Sequence, residues 1–259
     1  MSIALPTPPE HPRSLVYFGS PDAAVPPLLK LVEAGFEIPL VVSMPDRRRT
    51  RRAAPSPTPV KKAALDLGIP VTDQISDALS VEADCGVVVA YGQIIGVEFL
   101  MKLPMVNVHF SLLPRWRGAA PVERAILAGD QSTGICIMGL EPELDAGPVY
   151  RKREIPIDEQ ITASELTEEL AALGAEELVA AMQHGLSNAQ PQEGKVTIAK
   201  KLFRSDLELD WALSASELSR VIRVGGAWTT INSSSLKVHQ ANVIEGESEA
   251  GRLIKDVVG

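Results

Sequence analysis

Residues 105–121 of the chain read MVNVHFSLLPRWRGAAP. The first six residues form a short apolar run with β-branched side chains, and a loop containing proline, arginine and glycine follows it. This pattern is typical of a buried strand that ends at a loop. In α/β enzymes, functional groups gather where such strands end. The stretch therefore predicts an α/β sheet with a polar site at the end of this strand.

Two polar side chains, Asn107 and His109, lie within the predicted strand. Residues two apart in a strand share a face, so the amide and the imidazole can reach the same small group. An amide N–H stabilises the oxyanion of an attacked carbonyl, and an imidazole transfers protons near neutral pH. Asp145 follows the next strand-like run, 133–140, in the turn LDAGP at 144–148. Its carboxylate is expected to orient and charge His109.

The same three residues also fit a purely structural interpretation. Asn107 can cap a loop, His109 can be a hydrogen-bonded residue at a strand end, and Asp145 can open a turn. Spacing alone favours this second interpretation. In the loop that follows, Arg115, Trp116 and Arg117 can either contact a substrate or support the loop.

Strand-like and helix-like segments alternate outward from this stretch, which predicts a Rossmann-like, mostly parallel sheet with right-handed crossovers. The predicted strands are 14–18, 38–43, 69–71, 86–91, 105–110, 133–140 and 236–243. The predicted helices are 26–34, 60–67, 121–129, 161–185 and 214–224. The turn at 19–21 is not a Gly-x-Gly-x-x-Gly loop, and the chain has no Gly-x-x-x-x-Gly-Lys-Ser/Thr motif. Dinucleotide and nucleoside-triphosphate sites are therefore not indicated.

Composition limits the class of protein. The 259 residues are 45% hydrophobic, enough for one full domain and a smaller one. Cys85 and Cys136 lie in apolar runs, so free thiols and a cytoplasmic location are expected, and neither a disulfide nor a metal site is indicated. The Pro-rich tail, residues 1–13, resembles neither a signal peptide nor a membrane anchor.

Charge is unevenly distributed along the chain. The formal net charge of −8 argues against a protein that binds nucleic acid over its whole surface. Between Asp46 and Asp66, however, every charged residue is basic, and proline interrupts the segment. The run is either a solvated loop or a local site for nucleic-acid phosphates. Farther on, the polar break at 188–193 indicates a domain linker, 188–204.

The motif Asn-x-His-x-Ser-Leu-Leu-Pro-x-Trp-Arg-Gly-Ala-Ala-Pro at 107–121, followed by LDAGP at 144–148, closely resembles the folate-dependent formyltransferases. Within that family the resemblance is to the branch that acts on methionyl-tRNA. It spans residue 14 to the C-terminus and includes FGSPD at 18–22, VVAYG at 88–92, Asp210-Trp211 and Ile222-Arg223.

The resemblance implies site residues at the matching positions. Asn107, His109 and Asp145 would form a catalytic triad, the donor would be 10-formyltetrahydrofolate and the acceptor the amino group of initiator methionyl-tRNA, with no metal. The expected folate-pocket residues are Tyr91, Gly92, Gln93, Ile94, Ser111, Leu112, Leu113 and Pro114. The basic run would bind tRNA phosphates through Arg47, Arg48, Arg49, Arg51 and Arg52.

The resemblance also implies a division into domains. Residues 14–187 would be the catalytic domain, and residues 205–259 a reduced tRNA-binding domain related to the oligonucleotide-binding barrel. A barrel with missing strands would have unpaired edges. The chain is expected to act as a monomer. Two alternatives stay open: the same chemistry on an amino sugar, a glycinamide nucleotide or water, and a catalytically silent tRNA-binding relative.

Overall fold

The computed structural model of the chain describes residues 5–48 and 54–244. Its strands are β1 (Ser14–Gly19), β2 (Glu37–Val42), β3 (Arg47–Arg48), β4 (Pro55–Ser56), β5 (Val71–Thr72), β6 (Cys85–Val89), β7 (Met105–His109), β8 (Arg117–Gly118), β9 (Ser132–Gly139), β10 (Val149–Pro156), β11 (Ile198–Ala199), β12 (Trp228–Ile231) and β13 (Ser234–Lys237). Its helices are α1 (Val25–Glu33), α2 (Pro59–Asp66), α3 (Val97–Leu100), α4 (Pro121–Ala128), α5 (Ala163–His184) and α6 (Ala215–Val224).

The central sheet has seven strands in the order β10-β9-β7-β6-β1-β2-β5. Strands β7, β6, β1, β2 and β5 are parallel, whereas β9 is antiparallel to both of its neighbours. The chain first winds from β1 outward to β2 and β5, and then returns to the other side of β1 with β6. Such a reversal directs ligands to the carboxyl ends of the strands. The predicted mostly parallel α/β sheet is confirmed.

Two apolar layers cover the two faces of this sheet. The larger one packs α1 and α5 on one face and includes Leu28, Leu170, Val106 and Val108. A smaller cluster, with Val88 and Met105, covers part of the opposite face. Because side chains alternate along a strand, Val106 and Val108 point toward α5. Consequently the residues between and after them, at 107 and 109, point to the sparsely covered face.

Helix α5 supports the strand that carries the site. It begins with a capping box in which the side chains of Thr162 and Glu165 each bond the main chain of the other. A Cβ at Gly174 would lie 2.8 Å from Cγ1 of Val108, closer than ordinary packing allows. Glycine at position 174 therefore lets α5 pack closely against Val108, the residue of β7 between Asn107 and His109.

Most predicted elements are confirmed to within about three residues, but one is wrong, and several observed elements, such as α3, β10 and β12, were not predicted. Strand β10 was not predicted, because its charged sequence VYRKREIP has only weak alternation, yet it pairs with β9 along its whole length. The predicted strand 236–243 is wrong, since β13 ends at Lys237. A tight turn at Asn232 and Ser233, both with positive φ, sets the register in which Lys237 pairs with Trp228.

The segments outside the predicted catalytic domain make specific contacts with it. In the predicted tail, Arg13 N donates to Asp84 Oδ2 and Glu10 O accepts from Leu186 N. In the predicted linker, β11 pairs with β8. Between 205 and 244 the structure describes α6 and the β12-β13 hairpin, and no closed barrel is formed within that range. No helix in the described ranges is long and apolar enough to span a membrane.

Candidate active site

The polar pair of β7 lies between two small apolar clusters. Asn107 and His109 are both buried, at 8% and 5% exposure. Val88 of β6 and Met138 of β9 are the cross-strand neighbours of Asn107. Val88 belongs to the smaller core, whereas Met138 packs with Leu113 and Cys136 in a separate cluster. The two polar side chains thus occupy the gap between these clusters, on the face that α5 does not cover.

His109 lies between two oxygen atoms. Its Nε2 is 2.8 Å from the carbonyl oxygen of Trp116, and its Nδ1 is 3.7 Å from Oδ2 of Asp145. A carbonyl only accepts, so Nε2 carries the hydrogen of this bond. Nδ1 is therefore the ring atom that faces the carboxylate. The structure thus brings His109 and Asp145 together, as the sequence predicts.

Asp145 is held by the main chain of the loop that follows β7. Its Oδ2 accepts a hydrogen bond of 2.8 Å from Gly118 N. Gly118 has φ +121°, and a Cβ there would lie 2.7 Å from the carbonyl oxygen of Ala199. Only glycine combines this conformation with so close an approach. Asp145 itself has φ +48°, an unusual conformation for a residue with a side chain.

Asn107 differs from its neighbours in having no internal partner. Within residues 5–48 and 54–244, no side-chain hydrogen bond of Asn107 is formed, and its amide is not among the fully buried polar atoms that lack a partner. The structural interpretation, in which Asn107 caps a loop, does not match this environment. An amide that is free on the same face as His109 can instead donate to a bound carbonyl oxygen.

The predicted folate residues lie in two loops at the same sheet edge. The first loop follows β6: Tyr91 is buried, whereas Gly92, Gln93 and Ile94 are exposed. Burial raises the pKa of Tyr91, whose phenolic oxygen has no hydrogen-bond partner in the described residues. Because β6 and β7 are adjacent, this loop lies next to the loop that follows β7.

The second loop begins directly after His109. Ser111 is fully buried, and its Oγ donates to the Arg115 carbonyl at 2.7 Å. Leu112 is half-buried, Leu113 is buried, and the Leu113–Pro114 peptide bond is cis. A cleft of about 240 Å³ lies on the outer side of this loop, lined by Leu112, Arg115, Trp116 and residues 130–133. None of the three triad residues lines that cleft.

Two of the predicted tRNA-binding arginines are described. Arg47 and Arg48 form β3, which pairs with β4 in an exposed hairpin shortly after the carboxyl end of β2. The hairpin therefore lies near the carboxyl ends of the parallel strands, where the polar site also lies. Nearby, Lys61 forms an ion pair of 2.7 Å with Asp46. Arg49, Arg51 and Arg52 lie outside the described residues.

Several contributors to the site were not predicted from the sequence. They are the Trp116 carbonyl, the Gly118 N–H and residues 190–199. These last residues contact both the loop after β7 and the segment that follows the Asp145 turn. Main-chain groups have no sequence signal of their own, and residues 190–199 read as an ordinary polar linker. Arg117 supports the loop, since its Nη1 contacts Glu143 at 3.0 Å and its Nε donates to Gln192. No group of three or more metal-binding side chains occurs in the described part of the chain.

Comparison with known proteins identifies the family. Residues 15–182 match the family described as formyl transferase. The chain is 39% identical over 262 residues to the methionyl-tRNA formyltransferase of Ruegeria pomeroyi, covering 94% of this chain and 86% of the relative. It is 41% identical over 261 residues to that of Neisseria gonorrhoeae, covering 93% and 84%.

Solved structures share the fold at lower identity. A likely sugar N-formyltransferase from Mycobacterium tuberculosis has a TM-score of 0.68 at 18% identity, covering 90% of this chain and 99% of that one. An N-formyltransferase from Helicobacter canadensis, solved with folinic acid and dTDP-3-aminofucose, has a TM-score of 0.67 at 16% identity, covering 87% and 86%. The chain belongs to the formyl transferase family, and within it to the methionyl-tRNA formyltransferases.

Proposed function

We propose that this chain transfers the formyl group of 10-formyltetrahydrofolate to the α-amino group of initiator methionyl-tRNA. The proposed chemistry rests on two observations. Nδ1 of His109 lies 3.7 Å from the Asp145 carboxylate, and the same strand face holds the amide of Asn107, which has no partner among the described residues. The acceptor is supported by identities of about 40% to methionyl-tRNA formyltransferases over more than nine-tenths of the chain.

The proposed reaction is an acyl transfer through a tetrahedral intermediate. The amine nitrogen forms a bond to the formyl carbon, and the carbonyl electrons move to its oxygen. The intermediate then collapses, the bond to N10 of the folate breaks, and N10 gains the proton that the amine loses. Asn107 and His109 are the proposed donors to the oxyanion, His109 through Nδ1 when that atom carries a proton, because Nε2–H already bonds the Trp116 carbonyl. A positioned donor stabilises an oxyanion by about 3–4 kcal/mol. Asp145 stabilises the protonated imidazole.

We place the folate between the loops at 91–94 and 111–114. Their common position at the carboxyl ends of β6 and β7 supports this assignment. A related chain from Helicobacter canadensis was solved with folinic acid, and one from Aquifex aeolicus with tetrahydrofolic acid. The exposed side chains of Gln93 and Ile94 are accessible to such a ligand, and Tyr91 is the buried base of the loop.

We place the tRNA against the basic hairpin and the C-terminal region. Arg47 and Arg48 are exposed and close to the carboxyl edge of the sheet, whereas the chain as a whole carries −8. The charge that attracts phosphate is therefore local. Residues 205–259 would add a second contact as a reduced barrel-type domain, joined by the linker at 188–204. We expect a monomer that acts in the cytoplasm, where tRNA is charged and used.

A direct assay tests the proposal. The purified chain is incubated with 10-formyltetrahydrofolate and initiator methionyl-tRNA, and formyl-methionine and tetrahydrofolate are measured together. We expect the two products in equal amounts, and only when charged tRNA is present. Transfer to an amino sugar or a glycinamide nucleotide, or release of formate without an acceptor, would assign the same site to another substrate. Binding of tRNA without any turnover would instead identify a silent relative.

A further inference from the structure

Residues 190–199 contact both the loop after β7 and the turn that carries Asp145. We call them the crossing segment. At one end, Gln190 exchanges two main-chain hydrogen bonds with Val149, at 2.7 and 2.8 Å. At the other end, the Ala199 carbonyl accepts from Ala119 N at 2.8 Å. The crossing segment is therefore anchored to the structure on both sides of the site.

Gln192 makes the most direct connection between the two loops. Its Nε2 donates to the carbonyl oxygens of Asp145 and Gly147, both at 2.8 Å. Its Oε1 accepts from Nε of Arg117 at 3.0 Å. Both hydrogens of the amide and its oxygen are thus bonded, so one side chain ties the Asp145 turn to the loop after β7.

Thr197 hydrogen-bonds the loop after β7 at a second point. Its Oγ1 accepts from Trp116 N at 2.8 Å, and its carbonyl accepts from Arg117 N at 2.9 Å. Trp116 has φ +63°, and its carbonyl is the oxygen that bonds His109. The crossing segment therefore holds the partner on each side of the imidazole, namely the Trp116 carbonyl and the turn of Asp145.

The conformation of Asp145 explains why such support is needed. A non-glycine residue with positive φ is strained and persists only where its surroundings determine it. Asp145 and Trp116 both have positive φ. The carboxylate of Asp145 has one main-chain donor, Gly118 N. The two hydrogen bonds from Gln192 fix the peptide units 145–146 and 147–148 and hence the direction of the carboxylate.

We propose that Gln192 is a positioning residue for the triad: it holds the Asp145 turn so that the carboxylate stays against Nδ1 of His109. This inference rests on the proposed function and goes beyond it, because it assigns a role in catalysis to a residue of the predicted linker. Gln192 is too far along the chain to be recognised from the motifs, and it contacts the main chain of Asp145 instead of any reacting atom.

Two substitutions separate the contacts of Gln192. Q192E keeps an acceptor for Arg117 but removes both donors to the turn, whereas Q192M keeps the length and removes all three bonds. We expect both to lower kcat about 10- to 100-fold, with the KM of each substrate changed less than threefold. Q190A is the matched control, since the Gln190 side chain has only a weak bond to Asn188. Normal kcat in Q192E would overturn the proposal.

A double-mutant cycle tests whether Gln192 acts through Asp145. If it does, D145N combined with Q192M should be no slower than D145N alone, within twofold. A combined loss equal to the product of the two single losses would show that Gln192 acts elsewhere, which contradicts the proposal. Melting temperatures of all variants exclude loss of folding as the cause of any decrease.

Nuclear magnetic resonance of the His109 ring gives a readout that does not depend on turnover. The ring signals, assigned with the variant H109N, should shift in Q192M toward their positions in D145N, and stay unchanged in Q190A. Unchanged His109 signals in Q192M would refute the positioning role. If the wild-type chain formylates no acceptor, the proposed function fails, yet this measurement still decides whether Gln192 holds Asp145 against His109.

Discussion

His109 is enclosed by acceptors that come from different parts of the chain. The Trp116 carbonyl lies seven residues away, whereas the Asp145 carboxylate comes from the turn after β9. Each side chain of the triad has a different environment, because Asn107 is unpartnered among the described residues, His109 is bonded on one side, and Asp145 is bonded to Gly118. The proposed roles follow from these environments and not from the residue types alone.

The first prediction concerns the triad. N107A, H109A and D145A should each lower formylation by about 10²- to 10⁴-fold, the range for loss of a positioned donor or proton-transfer group. The melting temperature should change little, since the three side chains lie at the edge of the core. Turnover is measured with charged initiator tRNA. H184A is the control, because His184 is exposed and bonds only the Ala180 carbonyl. Near-normal turnover in a triad variant removes that residue from the site.

The second prediction concerns the two buried thiols. Burial raises the pKa of Cys85 to about 12 and that of Cys136 to about 11. A thiol in the unfolded chain has a pKa of about 8.5. Each thiol therefore stabilises the fold fully below about pH 8.5, and this contribution is lost as the pH rises toward the folded value.

The free energy of unfolding should consequently fall from about pH 8.5 upward, by at most about 1.4 kcal/mol per pH unit for each thiol. Urea denaturation at pH 8 and pH 10 measures this change. C85A and C136A should each show a shallower decrease than the wild type, because one titrating group is gone. An identical decrease in all three proteins would contradict the assigned cause.

At the scale of elements, the hairpin β3-β4 is the part of the site edge most suited to tRNA. Proline at 45, 55, 57 and 59 interrupts any longer helix or strand, so the arginines project from a short two-residue pairing. The ion pair between Lys61 and Asp46 lies beside it. An exposed basic hairpin binds phosphates mainly by electrostatic attraction, which depends strongly on salt.

The third prediction follows from that dependence. R47A and R48A should each raise the KM for methionyl-tRNA and lower the slope of log KM against log salt by about one, with kcat changed less than twofold. K152A is the matched control, since Lys152 is exposed on β10 at the opposite edge of the sheet. An unchanged salt slope would show that the hairpin makes no phosphate contact.

At the scale of the whole molecule, side-chain hydrogen bonds join residues 200–224 to α4 and to the residues just before α5. Nε of Arg124 on α4 donates to the Lys200 carbonyl at 3.0 Å, and its Nη2 lies 3.2 Å from Asp206 Oδ2. Arg223 of α6 in turn donates to the Ile161 carbonyl at 2.9 Å, just before α5. The C-terminal region, which we propose contacts tRNA, is therefore bonded to the part of the chain that carries the proposed site.

The fourth prediction tests this attachment. R124A should increase amide hydrogen exchange across residues 200–244, because the Lys200 and Lys201 carbonyls and the Asp206 carboxylate lose their shared partner. Exchange in β6 and β7 should stay unchanged. K201A is the control, since it removes a nearby positive charge but leaves the Lys201 carbonyl in place. Equal exchange in R124A and the wild type would show that other contacts hold the region.

The sheet and the three polar residues of the proposed site were predictable from short stretches of amino-acid sequence. Strands such as β6 and helices such as α4 are recognisable because apolar runs, Pro at a helix start and Gly at its end act over a few residues. Spacing alone favoured a structural interpretation of Asn107, His109 and Asp145, and the resemblance of residues 107–121 and 144–148 to the formyltransferases is what predicted a common site. The charged strand β10 and the end of β13 were not recognisable, since pairing with a neighbour decides them.

Long-range contacts of the folded chain determine how Asn107, His109 and Asp145 are held. The groups that hold it are the Trp116 carbonyl, the Gly118 N–H and the Gln192 amide, 47 residues beyond Asp145. Main-chain donors and acceptors are present in every residue, so no local pattern shows which of them face a side chain. Positive φ at Trp116 and Asp145 likewise depends on contacts that form when distant segments pack. Local propensity acts over a few residues, whereas this support is long-range.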